Sequence, residues 1–413
     1  MRLMASGVIL SLLLSVALTF GADWPQWRGP ALDGISRETN WTTQWPAEGP
    51  KQLWKAFVGI GFSTVSVSQG RVFTMGNQKD VDTIHCLDAE TGRVLWQHRY
   101  DCELDPRYYE GGPGGTPTVS DGRVYSLSKK GHVFCLEAAT GKVIWSRDVR
   151  QEQDLKLPEW SFAGSPLIAG DLVILNVGSA GTALDKRTGR VAWTSGKEAA
   201  GYATPVPFQW KGSPAVAVFS AKAIIAVETR TGRELWRHAW ESSRDVNAAD
   251  PIIIGDKLFL SSSTGALLLD LSPEKPVPVW EHKLMRNYFN PCVLLDGHLY
   301  GLDGTTHRPT RLVCMELATG KVRWAEEGFG SGGLMAADGR LIIFDKGQLS
   351  IVRAQTERYQ LLARASVIGG KCWTAPVLAG GLVYGRNAAG DLICLDLRAG
   401  SSAAKPASRP LSE

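Results

Sequence analysis

The 413-residue sequence has no adjacent cysteine pair and no Cys-x-x-Cys, and its seven cysteines are scattered and odd in number. A disulfide-framework fold and the paired-thiolate zinc motifs are therefore excluded. HExxH, GxSxG and the P-loop are also missing. The seven histidines (85, 98, 132, 238, 282, 298 and 307) follow no close ligand spacing. Zinc-hydrolase, serine-hydrolase and P-loop chemistry thus find no local motif here. Charge of one sign is scarce as well: 45 basic against 41 acidic residues leave +4, with no Lys/Arg block. Nucleic acid is not an expected partner.

Long apolar runs are lacking too. Val8–Phe20 is 13 residues, interrupted by Ser11, Ser15 and Thr19, against the roughly 20 that a membrane span needs. With Arg2 ahead of it and the small Gly21 and Ala22 behind, the run reads as a signal peptide over 1–22, cleaved after Gly21 or Ala22. No cysteine follows to carry a lipid anchor. The expectation is an exported monomer, in the periplasm or outside the cell.

What the sequence has in quantity is glycine, 45 residues, and tryptophan, 15 residues. Both are positional. LDAETGRVLW (87–96) recurs as LEAATGKVIW (136–145), LDKRTGRVAW (184–193), VETRTGRELW (227–236) and MELATGKVRW (315–324), with a stretched copy, LDLSPEKPVPVW (269–280). The tryptophans stand 43 to 49 residues apart, a period that suits a four-stranded propeller blade. An apolar strand ends before Thr-Gly, glycine turns the chain, and the next strand carries Trp to bury between neighbouring sheets. Cys86, Cys135, Cys314 and Cys394 hold the same place in four repeats and read as small buried hydrophobes.

Upstream of each phrase lies a second hairpin, as in PTVSDGRVYSLS (117–128), and eight copies of it can be counted from TVSVSQGRVFTM (64–75) to VLAGGLVYGR (377–386). The eighth repeat stops at DLICLDL (391–397), short of its Trp strand, while PKQLWKAFVG (50–59) is a Trp strand with no hairpin before it. The two fragments complete one blade. The fold expected is therefore all-β: an eight-bladed β-propeller of four-stranded antiparallel blades over 50–397, closed by an N-terminal strand in the last blade. Residues 23–49, with Trp24 and Trp27, form an arm expected to pack on the propeller surface. A disordered tail is expected over 398–413.

Each innermost strand tends to begin with a polar residue and proline: Thr116-Pro117, Ser165-Pro166, Thr204-Pro205, Asp250-Pro251 and Asn290-Pro291, with Ala375-Pro376 an apolar exception. Proline is tolerated at a strand's first position. The polar side chains should gather at one mouth of the channel beside Tyr288, Cys292 and Thr374. Tyr202, Thr204, Asn247, Asp250, Asn290, Lys371 and Trp373 are the candidate ligand-binding residues; no catalytic residue and no metal ligand is assigned. The same groups would serve equally as caps for strand starts. The long loops 98–115 and 150–164 should overhang this face with Tyr108, Tyr109, Glu110, Glu159 and Trp160.

The repeated T-G-x-x-x-W phrase resembles the tryptophan-docked repeats of pyrroloquinoline-quinone (PQQ) dehydrogenases and of the BamB-like propellers. WPQWRGP, YYEGGPG, GYATPV and GKCWTAPV are similar to segments of exported bacterial propellers. The dehydrogenase resemblance implies a quinone between a Trp and an adjacent-cysteine disulfide, with Ca²⁺ on Glu and Asn oxygens. Trp373, Asp250, Asn247, Asn290 and Glu159 would supply parts of it, but the cysteine pair is missing. The BamB-like resemblance implies a non-catalytic binding or scaffold module without cofactor, which takes a protein, small-molecule or glycan partner on its loop face. That is the leading expectation; a PQQ- and calcium-dependent dehydrogenase is the alternative.

Overall fold

The computed structural model describes residues 23–400 apart from His307. The expected signal peptide over 1–22 and the tail from 401 lie outside the described residues. Eight antiparallel sheets follow one another along the chain. Their first strands are Ser66–Ser68, Thr118–Ser120, Leu167–Ala169, Val206–Trp210, Ile252–Ile254, Val293–Leu295, Gly333–Ala337 and Val377–Ala379. First strands of adjacent sheets approach one another, as between the first and second and the sixth and seventh blades, and so form the inner wall. The outermost strands are Val94–Asp101, Val143–Asp148, Val191–Thr194, Glu234–Ala239, Val277–His282, Val322–Phe329, Leu361–Ser366 and, for the eighth blade, Lys51–Phe57. The expected closure is present: Lys51–Phe57 pairs antiparallel with Asp391–Asp396, from Lys51↔Asp396 to Phe57↔Asp391. A ring closed in this way leaves no open end on its inner wall.

The repeat phrase works between blades as well as within them. Trp54 of the eighth blade donates its indole N–H to the Ala89 carbonyl of the first at 2.9 Å. Trp96 does the same to Ala138, Trp145 to Lys186, Trp193 to Thr229, Trp280 to Leu317 and Trp324 to Gln355. The Thr-Gly glycine supplies the flat seat for that ring. A Cβ on Gly92 would lie 2.6 Å from the Trp54 ring, and one on Gly141 2.6 Å from Trp96. Trp236 is the exception, its indole N–H buried without an acceptor among the described residues. The blade it faces has SPEKPVP in place of Thr-Gly.

Arg386, fully buried at the seam between the last and first blades, fastens the closure. Its guanidinium donates to the carbonyls of Gly59, Ser63 and Met75 at 2.7–2.8 Å. Burial without a carboxylate partner lowers its pKa to about 9.

Two segments depart from the sequence expectation. The arm lies in the channel, not on the outer surface. Trp24 pairs with Val67 of the first blade, Pro25 accepts from Val119 of the second, and Arg28 reaches the Cys292 carbonyl in the sixth. Ile35–Ser36 then adds to the seventh blade in parallel, opposite Ala336 and Ala337, and the Glu38 carboxylate takes the Gly380 and Gly381 amides of the eighth. At the other end, order continues past 397. Arg398 pairs with Asp396 and Glu90 and forms a bridge with Trp41, so disorder does not begin at 398.

Candidate functional site

First strands begin, and second strands end, on one face of the ring; call it the strand-start face. The opposite face carries the tight hairpin turns, where the arm enters: Asp23 accepts from Ser68 and from the Gln69 amide. The arm's bend reaches through to the strand-start end, where Trp27 donates to Asp250 at 2.5 Å. A void of about 10 Å³ remains between the arm and the inner strands of the sixth to eighth blades, room for about one water.

The pre-proline side chains are spent on their neighbours. Thr116 N–H donates to Ser165 Oγ at 2.9 Å, Ser165 N–H to Thr204 Oγ1 at 3.0 Å, and Thr204 N–H to Asp250 Oδ1 at 2.7 Å. Asn290 Nδ2 donates to the carbonyls of Gly332 at 3.1 Å and Trp373 at 2.7 Å. Together these bonds make a belt that ties the second to fifth blades in series and the sixth to the seventh and eighth. Asp250 sits fully buried in the belt, and burial raises its pKa to about 6, with the Arg28 guanidinium opposing the rise. Asn247 is directed into the fourth blade, where Nδ2 donates to the carbonyls of Ser220 at 2.9 Å and Ala221 at 3.0 Å and Oδ1 has no partner among the described residues.

Tyr202, Lys371 and Trp373 stand above the belt. Tyr202 is buried and its hydroxyl accepts from the Trp160 amide at 3.4 Å. Lys371 pairs with Glu110 at 2.9 Å and lies 4.3 Å from the Trp373 ring centroid. Rings continue on both sides of Trp373: Phe289 at 4.8 Å and Phe62 at 5.5 Å, then Tyr288 beyond Phe289 and Tyr109 beyond Phe62. The loop after the first blade ties this crown together. Tyr108, 89% exposed, carries Arg244 over its ring at 5.6 Å, Tyr109 meets Phe62, and Glu110 meets Lys371. Three consecutive residues thus touch three different linkers across the mouth. Phe57, 57% exposed, adds an aromatic at the end of the closing strand.

The structure therefore divides the seven sequence-derived candidates. Thr204, Asp250 and Asn290 join in the belt, Lys371 and Trp373 in the crown, and Tyr202 touches the loop residue Trp160; Asn247 lies apart. Phe62 and Phe289 were missed, although each stands in the linker just ahead of an inner strand, where Trp373 also stands. A quinone with calcium calls for an open aromatic face and six to eight converging oxygens. Here Lys371 lies over Trp373, both Asp250 oxygens are bonded, and Asn290 and Asn247 face blade carbonyls. No group of three or more His, Cys, Asp or Glu converges among the described residues, and all seven cysteines are free and buried. These side chains do not fit that cofactor pair.

Residues 31–112 and 83–326 match a family model described as outer membrane protein assembly factor BamB. A search of curated proteins gives no match. Among solved structures, BamB from Moraxella catarrhalis is similar at 16% identity and TM-score 0.62, over 84% of this chain and 100% of that one. Quinohemoprotein alcohol dehydrogenase ADHIIG from Pseudomonas putida HK5 is similar at 15% and 0.67, over 94% and 82%. The computationally designed Ika8 protein follows at 14% and 0.58, over 84% and 100%. An enzyme and a designed chain share this shape, so the likeness shows the fold alone.

Proposed function

The chain belongs to the PQQ-like repeat propeller family whose model is described as BamB, and from that premise we propose that it is an exported, non-catalytic docking module. It receives a protein partner on the aromatic crown of the strand-start face. One observation carries the reading: the chain's own arm fills the channel, while Tyr108, whose neighbour Tyr109 meets the Phe62–Trp373–Phe289 rings, stands out in solvent. Aromatic anchors ringed by charged groups such as Arg244, Lys371 and Glu110 suit a protein interface. No span-length apolar helix occurs among the described residues, and the reading of 1–22 as a signal peptide supplies the route out of the cytoplasm. No observation favours the dehydrogenase alternative.

The test places a photo-crosslinking residue at Tyr108 or Phe289, with Asp296 on the opposite face as control, and maps adducts in the exporting cell. Crown-specific adducts to one protein are expected. Equal labelling from Asp296 would sink the assignment, as would saturable, calcium-dependent binding of PQQ with alcohol oxidation by the purified protein.

A further inference from the structure

On the hairpin-turn face, away from the crown, a cleft of about 520 Å³ opens between the first and second blades. Its origin is legible in the repeat. Between the second and third blades the equivalent space is filled. Lys186 reaches across to Asp121 at 2.9 Å, while Arg123 and the Tyr125 hydroxyl both donate to the Lys186 carbonyl. Between the first and second, Lys186 and Arg187 are replaced by Ala138 and Ala139, and Tyr125 by Phe73. Each change removes bulk or a polar tip, and the three changes lie around one space. Its volume is that of a small-ligand site.

The charges around the cleft are equally specific. Arg71 of the first blade lines it and makes no ion pair among the described residues; its one hydrogen bond there goes to the Gln69 carbonyl at 3.5 Å. Its Nε–H is shielded from solvent and has no acceptor among the described residues, a buried donor left unsatisfied unless something else accepts it. Asp121 and Glu137 line the cleft from the second blade. Their known bonds are local or to Lys186, and neither pairs with Arg71 within ion-pair distance. A guanidinium on one wall and carboxylates on the other thus share a cavity lined by the two alanines, with the buried Phe73 beneath, without meeting.

We propose that this cleft binds a small zwitterion, an amino acid or dipeptide. The ligand's carboxylate lies on the Arg71 guanidinium, its ammonium faces Asp121 and Glu137, and its side chain lies against Ala138 and Ala139. A guanidinium fork matches a carboxylate in two-point geometry, and separating two charges across a cavity favours a molecule carrying both.

The experiment is calorimetric titration of the processed protein with glycine, L-alanine, L-glutamate and L-alanyl-L-alanine, with propionate and ethylamine as half-ligands. Saturable binding is expected for at least one zwitterion, with both half-ligands at least tenfold weaker. Arg71→Met should weaken it tenfold or more. The double variant Ala138→Lys/Ala139→Arg, which copies the third blade, should abolish it without lowering the melting temperature. Absence of saturable binding by every zwitterion overturns the proposal. So does a folded double variant that binds as the parent does, or propionate binding as tightly as the zwitterions.

Discussion

Two buried titratable residues lean on stability in opposite directions. Asp250 is raised to about 6 by burial. From about pH 4 to 6 the folded state therefore holds a proton that the unfolded chain has lost, and stability falls as pH rises, by about 3 kcal/mol in all. His85, beside Arg386 and hydrogen-bonded to Gln97, is lowered to about 4, mainly by burial. The unfolded chain is protonated first, so this term grows with pH from about 4 to 6.5, again by about 3 kcal/mol. The two slopes oppose each other over nearly the same window. We expect the difference in melting temperature between His85→Gln and the parent to move in the variant's favour as pH is lowered from 7 to 4.5. A pH-independent difference would mean that His85 is not held neutral by the fold.

At the level of the element, the Thr-Gly turn has two functions that mutation can separate. Gly92 and Gly122 both adopt positive φ, +68° and +70°, but only Gly92 faces an indole; nothing lies within 4 Å of a Cβ on Gly122. Both alanine variants should lose about 1–2 kcal/mol to the left-handed backbone. Gly92→Ala should lose more, because Trp54 must leave its seat, and near-equal losses in melting studies would contradict the seating role. The blades themselves were readable because Thr-Gly and Trp are spaced by the blade period. The crown was half readable: Trp373 and Lys371 stood out beside prolines, whereas Phe62 has no proline after it to mark the strand start. The belt was read as available for ligand because sequence cannot reveal that Thr204 and Asp250 bond to each other's blades. Nor could it place the arm, whose partners are mostly backbone groups, such as the Cys292 carbonyl that takes Arg28.

Across the whole molecule, stability is a property of closure. Seven of the eight blades take their four antiparallel strands from one run of sequence, and the eighth joins Lys51–Phe57 to strands more than 300 residues later. Removing residues 23–38 should leave a closed ring that melts lower, because the belt loses Trp27 and the inner wall loses Arg28. Removing residues 23–57 should abolish the cooperative transition, since the last blade then lacks its outer strand and the Trp54 bond to the first. Melting followed by circular dichroism separates the two; retention of a sharp transition in the longer deletion would show that the other blades hold the ring alone.

The closing strand and the plug both come from the beginning of the chain, and both wait for its end. A ribosome releases Trp27 and Trp54 first, yet Asp250 and Asp391–Asp396, which receive them, emerge far later. A nascent or truncated chain therefore has no way to complete the molecule, however many blades it contains. The final state therefore arises only after the last strand is free.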